Sequence, residues 1–422
     1  MSPTQGHELS APSYAAVLRV PRYLPIFLAG ALSMWGDFIA RITIAAVVYQ
    51  RTSSPLATAT TLAVSLVPTF LGRSLLGPLV DRFPYKWVLI WSHLLRATCV
   101  LGLMLLVLNH SGFWLLFLVL FVLELVGGAS TASSMVLLTD LVEDRRLYAK
   151  AVGLGGMSEQ FNQAIGLAVG GGLVALVGPE TGLLFDLLTF VVSAVVILFV
   201  VQVRPVPGER GRGLRGFARD LGKATGDLVR HPVLARLMTL SAVAGLGIVA
   251  PEALALPIAD GDKWGGVLMA SPIAGAVVGI LVIGRRDVVS QNRSIVPLAL
   301  AMPVPLLLTA LHPPLWAVMA LFFLSGTMQA FMIPLQATFA LTTEPAMRGR
   351  IFSLAGSVSV AAAGVSYLAA GWVGKLVGAH AAVAICAVAC LGLTAILAIT
   401  WPHRSVRSAV DSAYATTSSH AA

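Results

Sequence analysis

Charge is what this chain has least of. Only 11% of its 422 residues are Asp, Glu, Lys or Arg, where a soluble globular chain carries about 25%. So few charges cannot keep a large surface in water. The scarcity excludes a soluble globular protein and points to lipid as the solvent. The formal net charge of +9 comes without interleaved aromatic and basic residues, so no nucleic-acid surface is expected. Cysteine is scarce as well: Cys99 lies in an apolar run, and Cys386 and Cys390 are one helical turn apart. That excludes a disulfide framework and a cysteine metal site, and leaves three small buried or lipid-facing side chains. The eight histidines make no H-x-x-x-H pair and no cluster with cysteine. No H-E-x-x-H is present, nor a G-x-S-x-G with a partner histidine. The chain therefore does not read as an intramembrane enzyme, and no cofactor or metal is expected.

What is there is hydrophobic length. Residues of apolar type make up 57% of the chain, and a spanning helix needs about 20 of them in a row. Twelve segments qualify: 23–50, 57–80, 87–109, 113–139, 150–178 and 181–202, then 233–258, 265–284, 294–311, 314–340, 351–377 and 380–401. Residues 1–20 are polar and show no cleavage pattern, so the first apolar run reads as a retained membrane helix. The expectation is an all-α membrane protein of twelve transmembrane helices in two six-helix pseudo-symmetric bundles. Its parts are an N-terminal segment 1–21, a first bundle 22–203, a linker 204–232, a second bundle 233–402 and a tail 403–422.

The cations orient these helices. Arg51, Lys263 and Lys375 fall on one side, and Arg41, Arg73 and Arg96 lie inside helices; the rest of the 28 Lys and Arg residues fall on the other side. That asymmetry predicts both termini in the cytoplasm. In the linker, Leu214, Phe217, Leu221 and Leu228 recur near helical spacing among cations, as in an amphipathic helix lying on the membrane surface. A repeat appears at an offset of 200 residues. Asp144 matches Glu344, Lys150 matches Arg350, Gly171 matches Gly371, and Leu176-Val177-Gly178 matches Leu376-Val377-Gly378. Parallel repeats of this kind are a transporter architecture.

Ionisable side chains inside apolar segments mark pathways or ion pairs. Asp37 and Arg41 are one turn apart in the first segment, which fits an internal ion pair or a proton or substrate site. Glu124, in the fourth, fits a proton carrier or a neutral structural acid. Glu159, with Gln160, Asn162 and Gln163, makes a polar patch in the fifth. Glu159 and Gln163 read as facing a cavity or packing on a neighbouring helix. Glu124 and Glu159 have no cation close by in sequence, which ranks them above Asp37 as proton carriers, Glu159 first. Asp186 and Glu252 read as lying nearer the outer ends. Arg96 reads as paired or snorkelling, and Gln329 and Gln336 as ligand-binding amides or cross-helix contacts.

One turn is unusually polar for this chain. GPLVDRFPYK, residues 77–86, resembles the loop 2–3 signature of the major facilitator superfamily, G-x-L-x-D-R-x-G-R-K. Gly77, Leu79, Asp81, Arg82 and Lys86 match, while Pro84 and Tyr85 replace a glycine and a basic residue. WGDFIARITIAAVVYQRTSSPLATA, FDLLTFVVSAVVI and PAMRGRIFSL are similar to the macrolide-efflux branch of its drug exporters. The resemblance implies a secondary active transporter, proton-coupled and working by alternating access, that exports amphipathic organic compounds such as drugs. It implies a monomer in the cytoplasmic membrane whose partners are the substrate, the coupling ion and the bilayer. It also implies a latch in which Asp81 faces the start of the eleventh helix, with Arg348 and Arg350; a merely topogenic turn is the alternative. Glu124 stands where many proton-driven exporters carry an arginine, and Leu167 where exporters often carry a proline. Lysophospholipid translocation is the alternative within transport. A non-transporting receptor or scaffold is the alternative outside it.

Overall fold

The computed structural model of the chain describes residues 14–76, 83–142, 144–203, 225–226, 228, 231–260, 264–343 and 348–401. All of its regular structure is helical: α1 (Tyr14–Leu18), α2 (Tyr23–Thr52), α3 (Pro55–Leu75), α4 (Tyr85–Leu108), α5 (Phe113–Leu141), α6 (Arg145–Val177), α7 (Pro179–Val200) and α8 (Pro232–Ala259). These are followed by α9 (Gly265–Ile283), α10 (Val288–Arg293), α11 (Ile295–Ala301), α12 (Val304–Leu307), α13 (Leu315–Met328), α14 (Met332–Thr342), α15 (Arg348–Val377) and α16 (Ala379–Ile399). Local sequence sets several of the ends. Ser54 accepts from the Ala57 amide at 3.3 Å with Pro55 at the first helical position, which starts α3 abruptly. Pro303 and Pro305 divide the ninth expected segment into α11, α12 and a 3₁₀ turn, Leu308–Leu311.

Among the described residues nine helices are long and apolar enough to cross a membrane, and Pro55–Thr69 and Ile295–Leu311 are shorter apolar helices. The chain is a multi-pass membrane protein. The twelve expected segments thus differ from the nine in α3, in the proline-divided ninth and in α6. The last is a 33-residue helix with Glu159, Gln160, Asn162 and Gln163 in its middle. The expected amphipathic helix of the linker lies outside the described residues.

The repeat seen in sequence recurs in backbone geometry. Gly178 and Gly378 both hold the left-handed φ that glycine tolerates, +91° and +85°, and each directly precedes a helix, α7 and α16. Helix pairings repeat in the same way. α3 packs on α5 as α9 packs on α13, α2 on α6 as α8 on α15, and α2 on α7 as α8 on α16. The α3–α5 and α9–α13 crossings are backbone-close. A Cβ on Gly72 would collide with the Leu125 carbonyl, and one on Gly275 with that of Phe323.

Between the halves of the chain, α3 packs on α15 and α6 on α9. The cores show where the halves meet. One cluster draws on both: Ile42, Ala59, Leu62 and Leu167 with Val249, Ala253, Met269 and Ala370. It sits towards the end that carries residues 53–55, 260 and 378. There Gly374 lies against Leu254 and Pro55, and the Tyr49 hydroxyl donates to Asp260 at 3.2 Å. At the opposite, cation-rich end each core belongs to one half. Tyr85, Leu89, Leu137 and Ile197 form one, and Leu234, Leu237, Phe339 and Leu354 belong to another. Added Cβ atoms on Gly155, Gly156 and Gly356 would meet nothing within 4 Å. Among the described residues, the core shared by the halves lies at the cation-poor end.

Candidate functional site

The first half holds a cluster of charges where apolar packing would be expected. Gly36 on α2 brings α7 into contact, since any Cβ there would strike the Asp186 carboxylate and the Thr189 hydroxyl. On the same helix Asp37 accepts a hydrogen bond from the Arg96 guanidinium of α4. One turn on, Arg41 donates to Glu124 of α5 at 3.2 Å. The Thr69 hydroxyl of α3 donates to the other Glu124 oxygen at 2.9 Å. Asp37 and Arg41 therefore do not pair with each other along α2; each takes its partner from another helix. Arg96 lies over the Phe190 ring of α7 at 4.3 Å, and the missing side chain of Gly127 leaves its plane room on the other face. Arg41 lies 5.3 Å from the Phe38 ring.

The cluster is largely buried, with the Asp37 and Arg41 side chains 24% and 18% exposed. Arg96 is 6% exposed, Glu124 7% and Asp186 0%. Asp186 does not sit at an outer edge, as its place in the sequence suggests, but inside the cluster. Asp37, Arg96 and Glu124 are its charged neighbours. Among the described residues its Oδ2 has no hydrogen-bond partner, and neither do Nε of Arg41, Nε of Arg96 and Nδ1 of the buried His93. The charge balance follows from the census. Two guanidiniums face three carboxyls, so the cluster carries one negative charge in excess unless one carboxyl holds a proton. An uncompensated buried charge is costly, and Asp186 is the acid without a cation bonded to it.

Arg41 also faces the second half. Glu252 of α8 and Tyr367 of α15 are among the groups acting on its charge, and they lie within hydrogen-bonding reach of each other. Glu252 was expected at an outer edge and instead approaches the cluster. The other expected site residues are more dispersed. Glu159 is exposed, with no partner among the described residues, and Gln163 is half-buried. Among the described side chains of that patch, Asn162 is buried; it accepts from the Trp35 indole at 2.6 Å and ties α6 to α2. Gln329 is half-buried and opens a 3₁₀ turn, Gln329–Phe331, between α13 and α14. Gln336 is exposed. Lys86 donates to the Leu198 carbonyl at 2.7 Å, joining the start of α4 to the last turn of α7 within the first half. Gly77, Asp81 and Arg82 lie outside the described residues, as do the side chains of Arg348 and Arg350.

A sequence profile described as Major Facilitator Superfamily matches residues 26–286, more than half of the chain. The chain belongs to that superfamily. It is a transporter and not an enzyme. The solved structures it resembles agree in fold. A POT family transporter in complex with a thioalcohol-conjugated peptide is 11% identical, with a TM-score of 0.69 over 90% of this chain and 96% of the other. A bacterial homologue of the human lysosomal transporter Spinster, inward-facing and unoccupied, is 14% identical, with a TM-score of 0.63 over 90% and 95%. The nucleoside transporter NupG is 13% identical, with a TM-score of 0.62 over 90% and 98%. No curated protein matches the chain in sequence. Within the superfamily, the signal that could have placed Asp186 in the site was available. A lone acid in FDLLTFVVSAVV is an intramembrane charge, and Gly36, next to Asp37, marks a close helix approach.

Proposed function

We propose that this facilitator is a proton-coupled exporter of amphipathic organic compounds. It has twelve spans in two six-helix bundles, both termini in the cytoplasm, and works by alternating access. The observation that carries the coupling is the buried cluster with its surplus carboxyl. A group that carries protons across must gain and lose one as its access changes sides, and a dry acid without a cation is built for that exchange. Asp186 is that group. Asp37 and Glu124 hold the two arginines, and Arg41 reports to the second half through Glu252 and Tyr367. The cation-rich end is cytoplasmic, so halves joined at the other end describe an inward-open state. The efflux reading and the substrate class rest on the macrolide-efflux-like stretches.

A thermal-stabilisation screen of purified protein against amphipathic drugs and lysophospholipids selects a ligand. Proteoliposomes with a trapped pH dye then show whether that ligand moves against protons. Ligand movement that leaves the internal pH unchanged and ignores an imposed pH gradient would end the proton reading. A screen won by lysophospholipids would replace the drug reading.

Orientation has its own test. His110→Cys and His312→Cys are expected to react with an impermeant maleimide added outside cells, and Arg215→Cys only after the membrane is opened. The native cysteines are buried and give little background. External labelling at position 215 inverts the topology.

The loop signature supports a further expectation. Asp81→Asn should leave membrane insertion intact and reduce transport severely, because a carboxylate facing a helix start and two arginines would latch the halves. Wild-type flux in this variant makes the turn topogenic only.

A further inference from the structure

A second site lies in the other half of the molecule, away from the charge cluster. Where α9 ends, the chain turns through α10 into α11, and these elements with α13 enclose a crevice of about 620 Å³. That is within the roughly 300–1,000 Å³ of small-molecule sites. Its polar mouth carries Arg286, Arg293 and Ser290, and its apolar wall includes Val278, Val282 and Leu298. Arg286 and Arg293 are exposed, and among the described residues neither makes an ion pair. The nearest acid in sequence is otherwise engaged. Asp287 accepts from the Ser290 hydroxyl at 2.6 Å and the Ser290 amide at 3.0 Å, which caps α10. These bonds, the hydroxyl's first, hold its carboxyl below the usual carboxylate range. It is bonded to α10 rather than to either guanidinium.

The apolar wall is open to the bilayer. Val278 and Val282 are 43% and 51% exposed, while Gly275 and Gly279 on the same helix are pressed against α13. Two guanidiniums at the end of a membrane helix, with a hydrocarbon wall running up from them, match one ligand chemistry. Guanidinium forks bind phosphate oxygens, and basic pockets between membrane helices hold anionic headgroups. We propose that this crevice binds an anionic phospholipid, its phosphate on Arg286 and Arg293 and an acyl chain along Val278 and Val282. The site depends on the chain lying in a membrane, not on the proton reading above.

Native mass spectrometry of the full-length protein in neutral detergent tests this, with phosphatidylglycerol and phosphatidylcholine as probes. Phosphatidylglycerol is expected to be retained in preference. The Arg286→Gln/Arg293→Gln protein is expected to lose about tenfold or more of that retention, the scale of two charge-assisted contacts. Arg285→Gln removes the same kind of charge beside the crevice without lining it, and should bind as wild type does. Val282→Trp fills the apolar wall with both arginines kept, and should also lose the lipid; it decides the matter if the double variant is unstable. Excess inorganic phosphate should not displace the lipid. Equal retention of the two lipids, undiminished binding by the double variant or by Val282→Trp, an equal loss in Arg285→Gln, or displacement by phosphate would each overturn the assignment.

Discussion

Asp186→Asn is expected to abolish proton-driven transport, down to the level of protein-free liposomes, while leaving substrate binding measurable. The amide keeps the size and the contacts of the carboxyl against Gly36 and Thr189. It removes only the ability to exchange a proton. The groups that face position 186 are Asp37 from α2, Arg96 from α4, Glu124 from α5 and its own-helix neighbour Thr189. His93 adds an imidazole acted on by Arg96. With asparagine at 186, two carboxylates balance two guanidiniums and the cluster stays neutral. The protein is therefore expected to fold normally and lock in one coupling state. Infrared difference spectra across a pH titration supply a second readout. The carbonyl band of a protonated carboxyl should appear in wild type and vanish in Asp186→Asn. Glu159→Gln, on an exposed side chain, should keep the band and reduce transport less. If Glu159→Gln abolishes exchange and Asp186→Asn does not, the coupling acid lies on α6.

The largest stability effect is expected at Arg96. Replacing it by glutamine leaves the largely buried Asp37 carboxylate without its cation and empties the space over the Phe190 ring. Breaking a fully buried pair from one side costs about 3–5 kcal/mol; with Asp37 24% exposed the loss should lie towards or below the lower figure, and the unfolding temperature in detergent should fall. Asp37→Asn/Arg96→Gln removes both charges together and should recover most of the loss. Arg41, Glu124 and a protonated Asp186 then remain, and these balance. A double variant no more stable than Arg96→Gln would mean that the guanidinium matters through its stacking rather than its charge.

Much of the fold can be read from hydrophobic length, which needs no knowledge of packing. The offset of 200 was legible because the repeat keeps glycine where the backbone needs a positive φ, at Gly178 and Gly378. The site was legible in part. Asp37, Arg41 and Glu124 stand out because charge is rare in apolar segments. Their pairing was not legible, since proximity along one helix is no guide to proximity between four. Asp37 and Arg41, one turn apart, part to Arg96 and Glu124. Glu124, with no cation near it in sequence, has one at 3.2 Å in space. Glu159 stood out by its amide neighbours, yet its own side chain is exposed while Asn162 is buried. Asp186 went unranked because distance from a helix end is a poor measure of depth when helices tilt and differ in length.

The shared core at the cation-poor end has a consequence for how fast the molecule can reverse itself. Across that seam Gly371 and Gly374 meet Ala59, Pro55 and Leu56, and Ala63, Ala250, Ala253 and Ala370 belong to the same cluster. Close backbones make the seam tight, but side chains of one carbon or none bury little area each, at roughly 25 cal/mol per Å². Adhesion at these close crossings is thus spread over many small contacts. The same core holds Ile42, Leu62, Leu167 and Met269, so the small residues set how closely the backbones approach, while the larger side chains supply most of the apolar area that each reversal must expose and bury again.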